Sequence, residues 1–259
     1  MLTSRQRYQK EKTVIRKESR MGAIYSFNRY ELKYIVNHRH VANLWDDMNG
    51  RLTNDPNAGP DGAYKISSLY YDSPDLLCYW EKVDGQKIRR KIRLRTYFDS
   101  NEQTGEKSFL EIKQRINRTV QKRRVDFELE DALDFMRTGK SFADGVRSGV
   151  MDEIVYLRHT YQLTPTLIVS YKRKAFYGLY DDGLRITLDY HVKCREEDLD
   201  LTHGEGGHYI LAPEWVVMEI KINDKMPLWL SLLLGRHNIA SLRLSKYCRG
   251  VETAIRRIA

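Results

Sequence analysis

Hydrophobic and polar positions alternate with a period of two in many short segments of the chain, as expected of β-strands that bury one face. In residues 87–97, for example, Ile88, Ile92 and Leu94 alternate with basic side chains. The pattern predicts strands at 29–36, 65–72, 87–98, 108–115, 120–129, 166–175, 184–192 and 215–222. These short strands, separated by helical segments, predict an α+β fold.

The helical segments repeat their apolar residues at three to four positions, as in 37–49 with Val41, Leu44 and Met48. Ser73 and Pro74 are expected to form the N-cap and first turn of a helix over 75–83, and Gly139 to end a helix over 130–138. Further helices are expected at 144–162, 227–237 and 245–258, with turns at 99–105 and 181–183. We find no repeat or long linker, so we expect one domain over 27–259 after a basic N-terminal extension over 1–26.

The composition is that of a folded chain with an anionic partner. Of its 259 residues, 41% are hydrophobic and 11% aromatic, which excludes a disordered chain. The 44 Lys+Arg against 35 Asp+Glu give a formal net charge of +9. Nucleic acid, phosphate compounds and anionic membranes all carry the complementary charge.

The cysteines and the hydropathy pattern indicate the cellular compartment in which such a chain would fold. Cys78, Cys194 and Cys248 lie far apart without a CxxC spacing, which argues against a zinc site and against a disulfide framework. There is no run of 18 or more apolar residues. We therefore expect a soluble protein in the reducing cytoplasm.

Charged side chains share one face of several predicted strands. Residues two apart on a strand point to the same side, so Lys87, Arg89, Lys91, Arg93 and Arg95 form one row, opposite Ile92 and Leu94. Other strands repeat the pattern, with charges at Glu31, Lys33, Glu111, Lys113, Lys122, Arg124, Arg185, Asp189, Glu219 and Lys221. A single strand of this kind is typical of an open sheet with one solvated face.

The repetition of this pattern on six strands favours a different arrangement. Amphipathic helices would cover the apolar faces, and the charged faces would line the lumen of a closed antiparallel eight-stranded β-barrel. Such a lumen suits a chain of phosphates, because Arg and Lys bind phosphate oxygens. A carboxylate such as Glu219 would instead hold Mg²⁺ or Mn²⁺.

Nine segments carry a family resemblance, and they occur in order along the chain. They are RYELKY (29–34), ISSLYYDS (66–73), KIRLRTY (91–97), LEIKQR (110–115), QKRRVDF (121–127), SYKRKAF (170–176), LRITLD (184–189), MEIKI (218–222) and SKY (245–247). Together they resemble the vacuolar transporter chaperone (VTC) domain of polyphosphate polymerases, within the triphosphate tunnel metalloenzyme superfamily. The resemblance extends from about Phe27 to the C-terminus.

The resemblance implies a fold, a reaction and a set of site residues. The fold would be the triphosphate tunnel, and the reaction would transfer the γ-phosphate of ATP to a growing polyphosphate chain or to pyrophosphate. The phosphate-binding basic residues of the family match Lys33, Arg93, Arg95, Lys113, Lys122, Arg124, Arg173, Arg185 and Lys246. Arg93, Arg95, Lys113, Lys122, Arg173 and Arg185 would be the catalytic subset. Glu219 matches the metal ligand, Tyr171 lies where the family has an aromatic residue near the nucleotide, and Arg173 and Lys246 rest mainly on the resemblance.

One departure from the wider superfamily bears on the reaction. Its triphosphatase and cyclase branch opens with Glu-x-Glu-x-Lys, whereas this chain has Arg29 in place of the first acid. The lost carboxylate favours the polymerase branch over a two-metal hydrolase. Triphosphate or polyphosphate hydrolysis and a non-catalytic polyphosphate-binding module remain as alternatives. The absence of a recognition helix or RNP motif argues against nucleic-acid binding, and the sequence leaves the oligomeric state open.

Overall fold

The structure is a computed structural model and describes residues 30–98, 104–117, 119–140, 149–204 and 206–258. The predicted extension 1–26, Arg29 and most of the predicted turn 99–105 lie outside these ranges. Within them, the chain forms ten strands and six helices. The predicted α+β class is confirmed.

The strands agree closely with the predicted ones. They are β1 (Tyr30–Asn37), β2 (Leu52–Asn54), β3 (Ala63–Asp72), β4 (Ile88–Phe98), β5 (Thr104–Ile116), β6 (Thr119–Phe127), β7 (Thr164–Gly178), β8 (Arg185–Arg195), β9 (His208–Tyr209) and β10 (Trp215–Ile222). The sequence did not predict β2 and β9, because strands of two or three residues are too short to show alternation.

All of the strands belong to one antiparallel sheet. Its main path has the order β1-β10-β8-β7-β3-β4-β5-β6, with β2 paired to β7 and β9 paired to β8. The sheet curls strongly, which brings strands from opposite ends of the order together. Nζ of Lys113 on β5 lies 2.9 Å from Oε2 of Glu31 on β1. We call the face that carries Glu31 and Lys113 the inner face.

The sheet is not closed by hydrogen bonds. Among the described residues, β1 and β6 are its two unpaired edges, so the predicted closed barrel is not confirmed. One reason lies at the edge of β1, where the backbone N–H of Leu242 donates to the carbonyl of Lys33 at 2.8 Å. A loop therefore uses a backbone acceptor that strand pairing would need.

The helices are α1 (His38–Met48), α2 (Leu77–Val83), α3 (Leu129–Thr138), α4 (Gly149–Tyr161), α5 (Leu228–Arg236) and α6 (Lys246–Ile258). On the outer face, α1 and α5 pack on β1, β8 and β10, and α3 and α4 pack on β4 and β5. Buried residues such as Leu44, Phe135 and Ile154 form these two cores. Of the helices described here, none combines the length and apolar character needed to cross a membrane.

Helices α2 and α6 belong to a third core, which includes inner-face residues. Tyr247 of α6 stacks on Tyr70 of β3 with 5.0 Å between ring centroids, and Val169 and Val217 lie in the same cluster. The hydroxyl of Tyr247 donates to Asp72 at 2.5 Å. Helix α6 therefore covers part of the inner face and brings its first residue, Lys246, to the charged part.

Local turn chemistry explains where the helices begin and end. The predicted start of α2 at 75 is wrong, because the helix begins at Leu77. Asp72 accepts from the N–H groups of Cys78 and Tyr79, and Ser73 Oγ accepts from that of Leu77, so both acceptors cap the later start. Gly139 ends α3 with φ of 73°, as predicted.

Candidate functional site

The strands place their charges as the alternation predicted. Acids or hydroxyl groups on the inner face contact the predicted basic residues Arg93, Arg95, Lys113 and Lys122. On the outer face, α3 and α4 bury the alternate residues Ile92, Leu94 and Ile112, and Val125 packs at the margin of that core. The period of two therefore assigns these residues to their faces correctly. Their functional roles remain predictions.

Glu111 of β5 joins two of these basic residues. It is 0% exposed and accepts from Nε of Arg93 at 2.7 Å, and it forms an ion pair with Lys122. Burial alone would raise the pKa of Glu111, but Arg93, Arg95 and Lys122 hold that pKa well below its usual range. Tyr70 accepts from Nη1 of Arg93 at 3.1 Å. The guanidinium of Arg93 is thus held by an acid on one side and a phenol on the other.

Arg95 differs from its neighbours because, in the described part of the chain, no carboxylate lies within ion-pair distance of it. Its side chain donates from Nε to Ser68 Oγ and from Nη2 to the Tyr171 hydroxyl, both at 3.1 Å. The residue is only 5% exposed. Burial and the neighbouring Arg93 lower the pKa of Arg95, but Tyr171 and Glu111 raise it by more, so the guanidinium is stabilised as a cation without a directly bound carboxylate.

Glu219 of β10 is the centre of a second group of charges. Nζ of Lys246 donates to its Oε1 at 2.8 Å, and Nζ of Lys33 lies 3.4 Å from the same atom. Arg173 and Lys221 each approach Oε2 to 3.6 Å. Burial would raise the pKa of Glu219, but these cations, Lys246 first among them, hold that pKa well below its usual range.

Asp189 of β8 neutralises two of the same cations. It accepts from Nε and Nη2 of Arg173 at 2.6 and 2.8 Å, and Nζ of Lys246 lies 2.5 Å from its Oδ2. The fork of Arg173 is therefore used by a bidentate pair. Asp189 and Glu219 together hold Lys246 between β8 and β10.

Glu31 connects this group with β5. It lies 3.2 Å from Nζ of Lys33 and accepts from Nζ of Lys113 at 2.9 Å. Burial would raise the pKa of Glu31, but Lys113 and Lys33 hold that pKa well below its usual range. The structure thus brings Lys33, Lys113, Arg173, Lys246 and Glu219 into one network.

Three of the predicted site residues contact groups other than Glu31, Glu111, Asp189 and Glu219. Arg124 lies over the ring of Phe109 at 4.5 Å and is half-exposed, whereas Arg185 donates to Asp55 at 2.8 Å and to the Tyr64 hydroxyl. Tyr171 is buried, with the cations of Arg173 and Lys246 about 5 Å from its ring centre. A nucleotide-binding role for Tyr171 remains a prediction, and in this structure its ring contacts cations.

Several inner-face groups titrate close to neutral pH. Burial and the repulsion from Arg95 and Arg93 lower the pKa of Lys122 to about 8, and the attraction to Glu111 offsets only part of this lowering. Burial likewise lowers the pKa of Lys221 to about 7. For Tyr70, burial would raise the pKa, but Arg93 and Arg95 lower it to about 8. These three groups can therefore change charge between about pH 7 and pH 8.

The sequence reasoning missed two kinds of residue. Tyr70 and Ser68 orient Arg93 and Arg95, and their places opposite these residues in the β3–β4 register were the available signal. Asp55 follows β2 and partners Arg185 across 130 positions of chain. A loop acid at that separation has no pattern that sequence alone can use.

The carboxylates fit a divalent cation only in part. Oxygens of Glu31 and Glu219 lie 3.2 and 3.4 Å from the same atom, Nζ of Lys33, so two acids converge on one cationic position. Across the described ranges, no three metal-ligating side chains cluster. Two carboxylates are a partial donor set for Mg²⁺ or Mn²⁺, and the other ligands would have to come from water or a bound molecule.

The fold of this chain also occurs among solved structures. The chain superposes on a putative adenylate cyclase from Bacillus halodurans with a TM-score of 0.53. The two are 14% identical, and the match covers 84% of this chain and 95% of that one. This likeness supports the fold.

Sequence comparison then identifies the family. The VTC domain family matches residues 28–255, so the chain belongs to it. Subunit 4 of the vacuolar transporter chaperone complex of Trypanosoma brucei brucei is 28% identical over 73% of this chain and 28% of its own length. The subunit 4 of Schizosaccharomyces pombe is 27% identical over 73% of this chain and 31% of its own. The chain thus spans less than a third of the curated relatives it matches.

Proposed function

We propose that the inner face binds a chain of phosphates and that the protein transfers the γ-phosphate of ATP to the end of that chain. The observation that carries the proposal is Arg95, a buried guanidinium without a carboxylate partner in the described ranges, beside Arg93. Phosphate oxygens are the partners that such a fork prefers. Membership of the VTC domain family supports the same ligand.

The remaining cations suit a polyanion because their partners can be exchanged. Lys113 and Lys122 are bound to Glu31 and Glu111, but their side chains stay partly exposed. A phosphate chain would accept from their remaining N–H groups and further favour the charged form of Lys122. The inner face would then reorganise little on binding, because its charges are already oriented by the sheet.

In the proposed reaction, an oxygen of the terminal phosphate of the acceptor attacks the γ-phosphorus of ATP. The new P–O bond forms as the bond from the γ-phosphorus to the β,γ-bridging oxygen breaks, and ADP leaves with that electron pair. Arg93 and Arg95 would hold non-bridging oxygens and stabilise the charge that develops there. Little covalent chemistry is asked of the protein.

A divalent cation completes the proposal. Glu219, with Glu31, would hold Mg²⁺ or Mn²⁺ next to the bound phosphates, and such an ion neutralises phosphate charge during transfer. Lys33, which both acids approach, would shift its contacts toward phosphate. We propose Glu219 in preference to Asp189, because Asp189 is engaged by both nitrogens of the Arg173 fork.

The experiment is incubation of the protein with ATP and Mn²⁺ or Mg²⁺, followed by gel electrophoresis for polymer and an assay for orthophosphate. Metal-dependent polymer with release of ADP is the expected result. Orthophosphate without polymer would replace the proposal with a hydrolase. Neither product, together with tight polyphosphate binding, would replace it with a binding module.

A further inference from the structure

A group of basic side chains outside the paired network lies at one end of the inner face. The row of β4 that contains Arg93 continues through Lys91 to Arg89, and Arg115 of β5 is directly opposite Arg89. Like charges in direct cross-strand register repel each other. Lys82 of α2 and Arg243 of the loop before α6 complete the group, which we call the basic mouth: Lys82, Arg89, Arg115 and Arg243.

Contacts of Lys91 place the mouth next to the inner face. Its Nζ donates to Ser245 Oγ at 2.8 Å, which brings the loop carrying Arg243 against β4. The remaining members of the mouth lie close enough to Arg89 to repel it. The pKa of Arg89 is lowered by burial and by Arg115 and Arg243, and the pKa of Lys82 is lowered by burial and also by Arg89 and Arg243. Glu81 attracts Arg89 and offsets part of this repulsion, and its carboxylate accepts from the backbone N–H of Arg90.

The mouth differs from the inner face in its lack of acid partners. The inner-face cations Arg93, Lys113 and Lys246 each have a carboxylate within 3.1 Å. Within the described ranges, no ion pair includes Lys82, Arg89, Arg115 or Arg243, and Arg115 and Arg243 are exposed. Four neighbouring cations with no ion-pair partner among the described residues create a local positive potential, which Glu81 offsets only in part.

We propose that the basic mouth binds the part of a polyphosphate chain that extends beyond the inner face. The inference rests on the proposed function and names a second, outer subsite of it. A chain held by Arg93 would pass Lys91, whose Nζ is bound to Ser245 Oγ, and continue along the same strand row to Arg89. Repeating phosphates supply one negative charge after another, which a row of cations two residues apart can follow.

The test compares chain lengths in a double variant, Arg89→Ala with Arg243→Ala. The matched control is Arg236→Ala with Arg256→Ala, two exposed basic residues in the last turns of α5 and α6, so that both proteins lose the same charge. Affinity is measured for long-chain polyphosphate, for tripolyphosphate and for a single-stranded oligonucleotide. We expect the mouth variant to bind long chains about tenfold more weakly, with tripolyphosphate affinity unchanged and the control close to wild type.

Three results would overturn the inference: equal losses in the mouth and control variants, equal losses for both chain lengths, or a loss for the oligonucleotide alone. Its failure can be separated from that of the proposed function. Wild-type protein that makes polymer, with a mouth variant of unchanged long-chain affinity, overturns only the mouth. Wild-type protein that makes no polymer, with the length-dependent loss present, overturns the polymerase and supports the mouth.

Discussion

Lys246 and Glu219 form a buried ion pair, with Nζ of Lys246 2.8 Å from Oε1 of Glu219. The pair joins the start of α6 to the middle of β10, and Asp189 holds the other side of the same ammonium group. It therefore couples the helix that covers the inner face to the residue proposed to bind a metal. A substitution at Glu219 that keeps a hydrogen-bond acceptor for Lys246 can therefore test metal binding separately from folding.

Replacing Glu219 with glutamine should abolish phosphate transfer and leave polyphosphate binding intact or slightly stronger. The amide keeps the shape and an acceptor for Lys246, but it removes the charge that would hold a divalent ion. We expect the free energy of unfolding to fall by about 1–3 kcal/mol. Mn²⁺ binding, measured by electron paramagnetic resonance with and without tripolyphosphate, should weaken in parallel.

Asp126→Asn is the control for this variant, because Asp126 is an exposed acid 3.9 Å from Arg124. It should retain transfer and Mn²⁺ binding. The metal assignment would be wrong if Glu219→Gln bound Mn²⁺ and made polymer as well as the control.

Replacing Arg95 with alanine should weaken polyphosphate binding by about 1.5–3 kcal/mol, which corresponds to roughly tenfold to hundredfold. The substitution also removes the buried hydrogen bonds from Arg95 to Ser68 and Tyr171, so the free energy of unfolding should fall by about 1–2 kcal/mol. Isothermal titration and thermal unfolding measure the two effects. Arg95→Lys should restore little affinity, since an ammonium group cannot reproduce the fork.

The matched control for Arg95 is Arg137→Ala, which removes a charge from an exposed residue of α3. Equal affinity losses in both variants would mean that binding depends on net charge alone.

Polyphosphate affinity should fall as pH rises through about 7 to 9. Lys221 and Lys122 have pKa values lowered to about 7 and about 8, so above these values the unliganded inner face loses positive charge. A bound polyanion favours the ammonium forms and raises both pKa values, so binding near pH 8 must take up protons. Titration calorimetry in buffers of different ionisation enthalpy should detect this uptake with long chains, whose internal phosphates do not titrate in this range.

Lys122→Arg should reduce the proton uptake and flatten the pH profile, because an arginine remains charged throughout. An affinity that is constant from about pH 6 to 9 in the wild type would contradict the lowered pKa values.

The outer face offers a prediction about stability alone. Arg123 of β6 forms two hydrogen bonds with Glu153 of α4 and a third with Gln114, on the face opposite the proposed site. Glu153→Gln should lower the free energy of unfolding by about 1 kcal/mol and leave polyphosphate affinity unchanged. Chemical denaturation and a binding titration on the same variant check both parts. A loss of affinity without a loss of stability would indicate that the faces are wrongly assigned.

The sequence predicted the strands and their faces because alternation is a local property. Arg93 and Glu111 lie on the inner face for the reason given by their spacing, and their pairing follows from β4 and β5 being neighbours. Lys246 is different, since it lies at the start of a helix and reaches Glu219 only after α6 folds onto the inner face. The capping of α2 by Asp72 likewise depends on an acid at the end of β3 that the helical pattern does not include.

The closure of the sheet was beyond local reasoning as well. Alternation cannot distinguish a closed barrel from a curled sheet, because both bury the same faces. The described strands leave β1 and β6 unpaired, and the bond from Leu242 to Lys33 uses part of the edge of β1. That bond joins residues far apart in sequence and has no signature in either segment.

The most direct test of the account follows each phosphate of ATP separately. Protein is incubated with Mn²⁺ and with ATP labelled either at the γ-phosphate or at the α-phosphate, and the products are resolved by electrophoresis. We expect the γ label to enter long polymer and the α label to stay in ADP. The γ label in orthophosphate alone, or the α label in a cyclic nucleotide, would contradict it.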